Sequence, residues 1–416
     1  MKIDTKKPSK YAYTFIKWII VAILVGAVGG VVGSLFHICV DYVTETREHN
    51  SWIIYLLPIG GLMIVGISKL LKSEGVMNTN KVIDAVRTEN KVPLIMAPLI
   101  FVSTVITHLF GGSAGREGAA LQLGGSIGYN LGKTVGLNKR DMHIVVMAGM
   151  SAVFTALFGT PVTATVFSLE VISVGVMYYA ALVPCIIASV TAYAVAGAFN
   201  IPPVTFEIGA FPEITAFVVG KVLLIAVCCA LVSILFCATI KGTEKLSEKY
   251  LKNTYLRAFI GGVLILVFTL ILNTHDYNGA GMNVITNAMS GQAKPEAFLI
   301  KIVFTAITIA AGFKGGEIVP TFFIGSTFGC VMASVLGLQP GVGAAIGFVA
   351  MFCSVVNCPV ASMFLAVEVF GGQWTVMFML ACAVSFFMSG YSSLYKSQRF
   401  VYSKLEAKFI DNNVEI

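Results

Sequence analysis

Charge is scarce in this chain. Asp, Glu, Lys and Arg make up 12% of its 416 residues, against about 25% in soluble domains. Hydrophobic residues make up 57%, and the mean hydropathy is +0.86. That deficit excludes an ordinary soluble domain and points to an integral membrane protein. Strict polar/apolar alternation is also missing from the long apolar runs, which excludes a transmembrane barrel and leaves helices. The nine cysteines contain no CxxC pair and the five histidines show no ligand spacing. Neither a zinc site nor a disulfide framework is indicated, and no metal or cofactor is expected. HExxH is absent and no nucleophile–base pair or metal-ligand set stands out, so an intramembrane hydrolase has no support and the chain is not expected to be an enzyme. No small-residue cleavage site follows the first apolar run, so no cleavable signal peptide is expected. The net charge of +7 sits on basic flanks, which suits anionic lipid headgroups and gives no reason to invoke nucleic acid.

Apolar segments are plentiful. They run roughly over 12–44, 52–71, 92–110, 117–136, 143–170, 172–200, 213–240, 256–273, 297–312, 318–338, 341–369 and 373–395. Several are too long for one span or are interrupted by Gly and Pro, so more helices than segments are expected. The 41 glycines fit a helical bundle in which small residues let backbones approach closely. Polarity returns in "TIKGTEKLSEKYLKNTYLRA", 239–258, with Lys241, Lys245, Lys249, Lys252 and Arg257. Lys2, Lys6, Lys7 and Lys10 load one end of the chain, and Lys396, Arg399, Lys404 and Lys408 load the other. The positive-inside rule places both termini and the central linker in the cytoplasm. The expected organisation is a cytoplasmic N-terminal segment (1–11), a first membrane repeat (12–240), a basic cytoplasmic linker (241–256), a second membrane repeat (257–396) and a cytoplasmic tail (397–416).

The halves align with each other. "GREGAALQLGGSIG" (115–128) matches "GEIVPTFFIGSTFG" (316–329) without gaps, and "PVTATVFSLEV" (161–171) matches "PVASMFLAVEV" (359–369). The offsets are 201 and 198, in the same order, which argues for internal duplication. In transporters such repeats are often inverted, and binding sites lie where their broken helices meet. The Gly-rich breaks at 111–118 and 311–320 mark that place.

Each break carries an acid. Gly115 and Gly118 flank Arg116 and Glu117 at a helix start. Free amides and the helix dipole make such a start an anion seat, which a carboxylate can occupy and leave when protonated. The competing reading is a capping Glu117 paired with Arg116. In the second break Glu317 stands ahead of Ile318 and Val319, Pro320 suits the first helical turn, and Thr321 offers a hydroxyl. Here too Glu317 reads either as a dipole partner or as part of a proton route, and intramembrane acids favour function. "SEGVMNTNKVIDAVR" (73–87) reads as a loop feeding a helix, with Asn78 or Thr79 as N-cap and Met77 beside it. Met77 read alone is a gap-filling thioether. Tyr391 and Tyr395 close the last apolar segment, either as interfacial belt residues or as donors to an anion.

Together these motifs resemble the CLC family of chloride channels and anion/proton antiporters. GREGA (115–119), GEIVP (316–320) and GVMNT (75–79) stand where that family has GKEGP-like, G-x-F-x-P and GSGIP motifs. "GMSAVFTALFGTPVTATVFSLE" (149–170) is similar to its AGxxAAFxAPxxGxLFxLEE segment. The departures are informative: the loop serine gives way to Val76-Met77-Asn78, and Glu170 is followed by Val171 instead of a second acid. That set is similar to the CLC-F branch, the bacterial fluoride/proton antiporters. The resemblance implies an all-α membrane protein of two inverted repeats. It implies a homodimer in lipid at the bacterial inner membrane that exports fluoride against protons, with a chloride/proton antiporter or passive anion channel as the alternative. It further implies Glu117 as gating acid, Glu317 as proton carrier, and an anion path formed by Met77, Asn78, Gly115, Arg116, Gly118, Ile318, Val319, Thr321 and Tyr395. Tyr391 stays a rival for the last role.

Overall fold

Glycine, asparagine and proline cut the apolar runs into sixteen α-helices among the described residues, which in the computed structural model are 8–73, 78–88 and 90–414. The first eight are α1 (Pro8–His49), α2 (Leu57–Leu70), α3 (Thr79–Arg87), α4 (Met96–Phe110), α5 (Glu117–Thr134), α6 (Lys139–Phe158), α7 (Pro161–Glu170) and α8 (Leu182–Ala198). The second eight are α9 (Ala216–Tyr250), α10 (Thr254–Leu272), α11 (Met282–Met289), α12 (Ala297–Ala310), α13 (Ile318–Leu336), α14 (Pro340–Val356), α15 (Pro359–Phe370) and α16 (Thr375–Met388). Run 143–170 breaks at Gly159, φ +72°, with Pro161 opening the next helix, and run 341–369 breaks at Asn357, φ 55°, ahead of Pro359. A left-handed residue stops one helix and a proline at the first turn starts another. Seven of the described helical stretches are long and apolar enough to cross a membrane.

The duplication is a property of the fold. α5, α6 and α7 recur as α13, α14 and α15, starting 201, 201 and 198 residues later. Gly124 packs on Gly149 so closely that a Cβ would lie 2.2 Å from the Gly149 oxygen, and Gly325 repeats this against Gly347 at 2.3 Å. Backbone-to-backbone contact of this kind binds α5 to α6 and α13 to α14, the small-residue packing available where lipid offers no hydrophobic drive.

Two acids then lock the repeats together. The Glu170 carboxylate, at the end of α7, accepts from the amides of Val360 (3.2 Å) and Ala361 (2.9 Å) at the start of α15. Glu368, near the end of α15, accepts from the amides of Val162 (2.9 Å) and Thr163 (2.8 Å) at the start of α7, and from the Thr163 hydroxyl (2.6 Å). Each repeat caps the other's helix, as antiparallel, inverted halves require.

Three details differ from the sequence expectations. The basic stretch 241–256 is mostly helix, because α9 continues to Tyr250 and only Leu251–Asn253 separate it from α10. Its Lys, Glu and Leu residues are good helix formers, so polarity there marks an exit from lipid without a break in the backbone. The expected boundary at 240 falls inside α9, Ala216–Tyr250. Finally, the tail 397–416 carries strands: β1 (Ser173–Val174) pairs parallel with β2 (Arg399–Tyr402), which pairs antiparallel with β3 (Phe409–Asn413). Gln398 fastens this sheet by donating to the Val171 and Val356 carbonyls, at 3.1 and 2.8 Å.

Removing one reciprocal cap leaves buried amides without an acceptor. Glu170→Ala is expected to cost about 2 kcal/mol, from charged hydrogen bonds at a helix N-terminus. Thermal unfolding in detergent measures this, and an unchanged melting temperature would remove Glu170 from the account of stability.

Candidate functional site

The site forms where the two glycine breaks cross. Gly115 and Gly316 exchange reciprocal backbone hydrogen bonds, both 2.7 Å, as an isolated antiparallel bridge. Hydroxyls flank it with the same two-fold logic: Thr308 Oγ1 accepts from the Ser113 amide at 3.0 Å, and Thr107 Oγ1 accepts from the Lys314 amide at 3.2 Å. Only glycine permits this approach. A Cβ on Gly316 would sit 2.3 Å from the Gly118 nitrogen, and one on Gly118 would sit 2.8 Å from the Gly316 Cα. The starts of α5 and α13 are thereby brought side by side. Amides in the first turn of a helix have no carbonyl partner in their own helix, and Pro320 has no N–H to offer; at the crossing Gly118 packs on Gly316 and Glu317, and Gly115 on Val319.

The two acids sit on opposite faces of this crossing. Glu117, 2% exposed, turns its Oε2 back to accept from the Arg116 amide at 3.1 Å. It borders a cavity of about 410 Å³ shared with Asp41, Arg47, His108 and Val319. Glu317 borders a second cavity, of about 170 Å³, with Asn78, Gln122, Lys241 and Tyr395. Its Oε2 lies beside Gly118, 3.3 Å from where a Cβ would stand, whereas the Glu117 Oε2 stands at 2.9 Å from the same position on Gly115. Glu117 thus borders the larger cavity and Glu317 the smaller one.

Arg116 does not hold Glu117 in a tight pair. Its Nη1 is 2.5 Å from Asp41 Oδ1, while its Nε stands 3.7 Å from Glu117 Oε1. Asp41 is also bound by His37 Nε2 at 2.9 Å. The guanidinium is therefore neutralised by α1, which leaves Glu117 held chiefly by backbone. Neither Asp41 nor His37 was flagged in the sequence, because single polar residues inside a long apolar helix carry no motif.

Other expected residues are placed as follows. Asn78 is the N-cap of α3, its Oδ1 accepting from the Asn80 amide at 2.9 Å, and it lines the smaller cavity. Met77 lies outside the described residues. Tyr395 is 2% exposed, lines the same cavity and has no partner for its hydroxyl. Tyr391 is spent elsewhere, with its hydroxyl 2.9 Å from Ser403 Oγ, so the geometry favours Tyr395. Thr321 is fully buried, but its hydroxyl hydrogen goes to the Glu317 carbonyl at 2.8 Å. It acts on its own helix and is not the free donor that was expected. Glu170, the acid read as lacking a second partner, is consumed by its cap. Gln122 was missed: its Nε2 donates to Thr79 Oγ1 at 3.2 Å beside the start of α5.

Paired breaks, buried acids and facing cavities define a polytopic α-helical membrane protein of the two-repeat kind, with its site at the repeat interface. Residues 60–390 match the voltage gated chloride channel family, and the chain belongs to that family. It is 35% identical over 395 residues to a chloride/fluoride channel protein of Pseudomonas syringae pv. tomato, covering 93% of this chain and 87% of that one. Among solved structures it is similar to a CLC-type fluoride/proton antiporter, with 32% identity, a TM-score of 0.89 and coverage of 93% and 98%. A slow cyanobacterial Cl-/H+ antiporter shares the fold at 17% identity and a TM-score of 0.77, with coverage of 89% and 94%.

The crossing tolerates no added methyl. Gly316→Ala is expected to lose roughly 1–3 kcal/mol by overpacking and to slow transport by at least about tenfold through displacement of the amides. Gly197→Ala, where a Cβ meets nothing within 4 Å, should leave both unchanged. Thermal melts and anion flux in liposomes compare the two, and equal behaviour would refute the tight crossing.

Proposed function

We propose that this protein exports fluoride in exchange for protons. The observation that carries the reading is the pair of buried carboxylates, Glu117 and Glu317, placed at opposite mouths of one glycine crossing. An anion and the deprotonated Glu117 compete for the same first-turn amides. When an anion takes the seat, the side chain leaves, gains a proton and carries it back as the seat empties. Glu317 serves the other mouth, taking the place of the second acid absent after Glu170.

Sidedness follows from charge. The smaller cavity opens beside Lys241, Lys314 and Lys396, near the basic ends of α9 and the chain, so it is the cytoplasmic mouth. The larger one, at the far end of α1, then faces outward. Both termini are cytoplasmic, the membrane is the bacterial inner membrane, and two copies form a homodimer with one pathway each.

Fluoride is small and strongly hydrated, so stripping its water demands dense donors. Amides of Gly118, Ile318 and Val319 with the unpartnered Tyr395 hydroxyl supply them. Loss of the family's loop serine, with Met77 in its neighbourhood, weakens a seat shaped for a larger halide. The similarity to the fluoride/proton antiporter supports the same reading. The chloride/fluoride channel protein gives the rival, passive flux without protons.

Purified protein in liposomes, read with fluoride, chloride and pH electrodes together, decides between them. Fluoride efflux should drive proton uptake in the wild type. Glu117→Gln should abolish that uptake, and undiminished proton movement would overturn the assignment. In parallel, Met77→Ser should lower the fluoride-over-chloride flux ratio by about tenfold or more, the scale of one lost or gained specific contact. An unchanged ratio takes Met77 out of the selectivity account.

A further inference from the structure

The cytoplasmic cavity holds a buried cation that forms no ion pair among the described residues, although Glu244 and Glu317 line the same cavity. Lys241 is 3% exposed, lines the cavity, and among the described residues its Nζ has neither a hydrogen-bond acceptor nor a carboxylate within ion-pair distance. Glu244, one turn further along α9, is the nearest acid on its helix, but its Oε2 is engaged by Lys396 Nζ at 2.8 Å. A buried ammonium left without a partner is costly. Across the same cavity the Tyr395 hydroxyl, 2% exposed, is also unpartnered. Two buried donors therefore line one cavity of about 170 Å³ that opens toward the inner mouth, and neither is bonded to an acceptor among the described residues.

We propose that Lys241 is the inner capture residue of the transporter: its ammonium holds a small hard monovalent anion at the cytoplasmic cavity before Tyr395 and the amide nest receive it. The anion completes the missing charge pair, and its hydration shell is traded for an ammonium and a hydroxyl in a space walled by protein. Because the cavity lies on the Glu317 side of the crossing, capture precedes the competition with Glu117 and needs no movement of either acid. The proposal rests on reading the smaller cavity as the inner mouth of an anion path. It adds a residue that neither the glycine motifs nor the repeat alignment single out.

The test is fluoride efflux from liposomes at a series of internal fluoride concentrations, with wild type, Lys241→Met and Lys241→Arg. Size-exclusion profiles are checked first, and Lys241→Gln is read in place of Lys241→Met should the latter not be monodisperse. Loss of the charge should raise half-saturating fluoride roughly tenfold, the scale of a charged hydrogen bond. The maximal rate and the proton-to-fluoride ratio should stay within about twofold, since neither acid is touched. Lys241→Arg should keep the wild-type half-saturation. Half-saturation unmoved in the neutral variant, or a fall confined to the maximal rate, overturns the proposal. Should the wild type carry chloride and not fluoride, the fluoride reading fails while the role of Lys241 is read from the chloride curve in the same way.

Discussion

Everything at the centre of this protein depends on two glycines meeting. The reciprocal Gly115–Gly316 bridge brings two helix starts into register, and no side chain larger than hydrogen fits there. A helix start in lipid is a liability, since its amides lack acceptors. Bringing two such starts together concentrates the liability into a polar crossing, which suits negative charge. In the proposed scheme Glu117 supplies that charge from within the chain and the transported anion supplies it from outside.

The surrounding charges sort themselves around this crossing. Beside the larger cavity, α1 supplies Asp41 to hold Arg116, which keeps the guanidinium near Glu117 without seizing it. A second arginine, Arg47, donates to the His108 carbonyl at 2.7 Å and lines the same cavity. In the smaller cavity, which Glu317 borders, Lys241 and Tyr395 carry donors unpartnered among the described residues. The two cavities differ in charge: Lys241, Lys314 and Lys396 outnumber Glu244 and Glu317 in the smaller one, whereas acids outnumber Arg47 and Arg116 in the larger one.

Much of this was legible in the residues. The scarcity of charge gave the membrane and the helices, and the 201-residue offset located the breaks before any coordinate. Asn78 was one of two cap candidates read from spacing, and the structure makes it the cap of α3; the sequence left Tyr391 and Tyr395 open as alternatives. What stayed hidden depended on chain crossing between distant segments. Lys241 reads as one more basic residue in a polar stretch until α9 carries it beside Tyr395, 154 residues away in sequence. Thr321 looks like a free hydroxyl until the helix turns it onto the Glu317 carbonyl. The sheet formed by the tail was illegible because its partner is two residues, Ser173 and Val174, at the foot of α7.

The exchanged caps of α7 and α15 have a consequence for how such a chain is made. Glu170 leaves the ribosome long before Val360 and Ala361 exist, and the amides of Val162 and Thr163 must wait for Glu368. Until the second half is made, the Glu170 carboxylate and the first amides of α7 are left without these partners, so this part of the interface forms only once both halves are present.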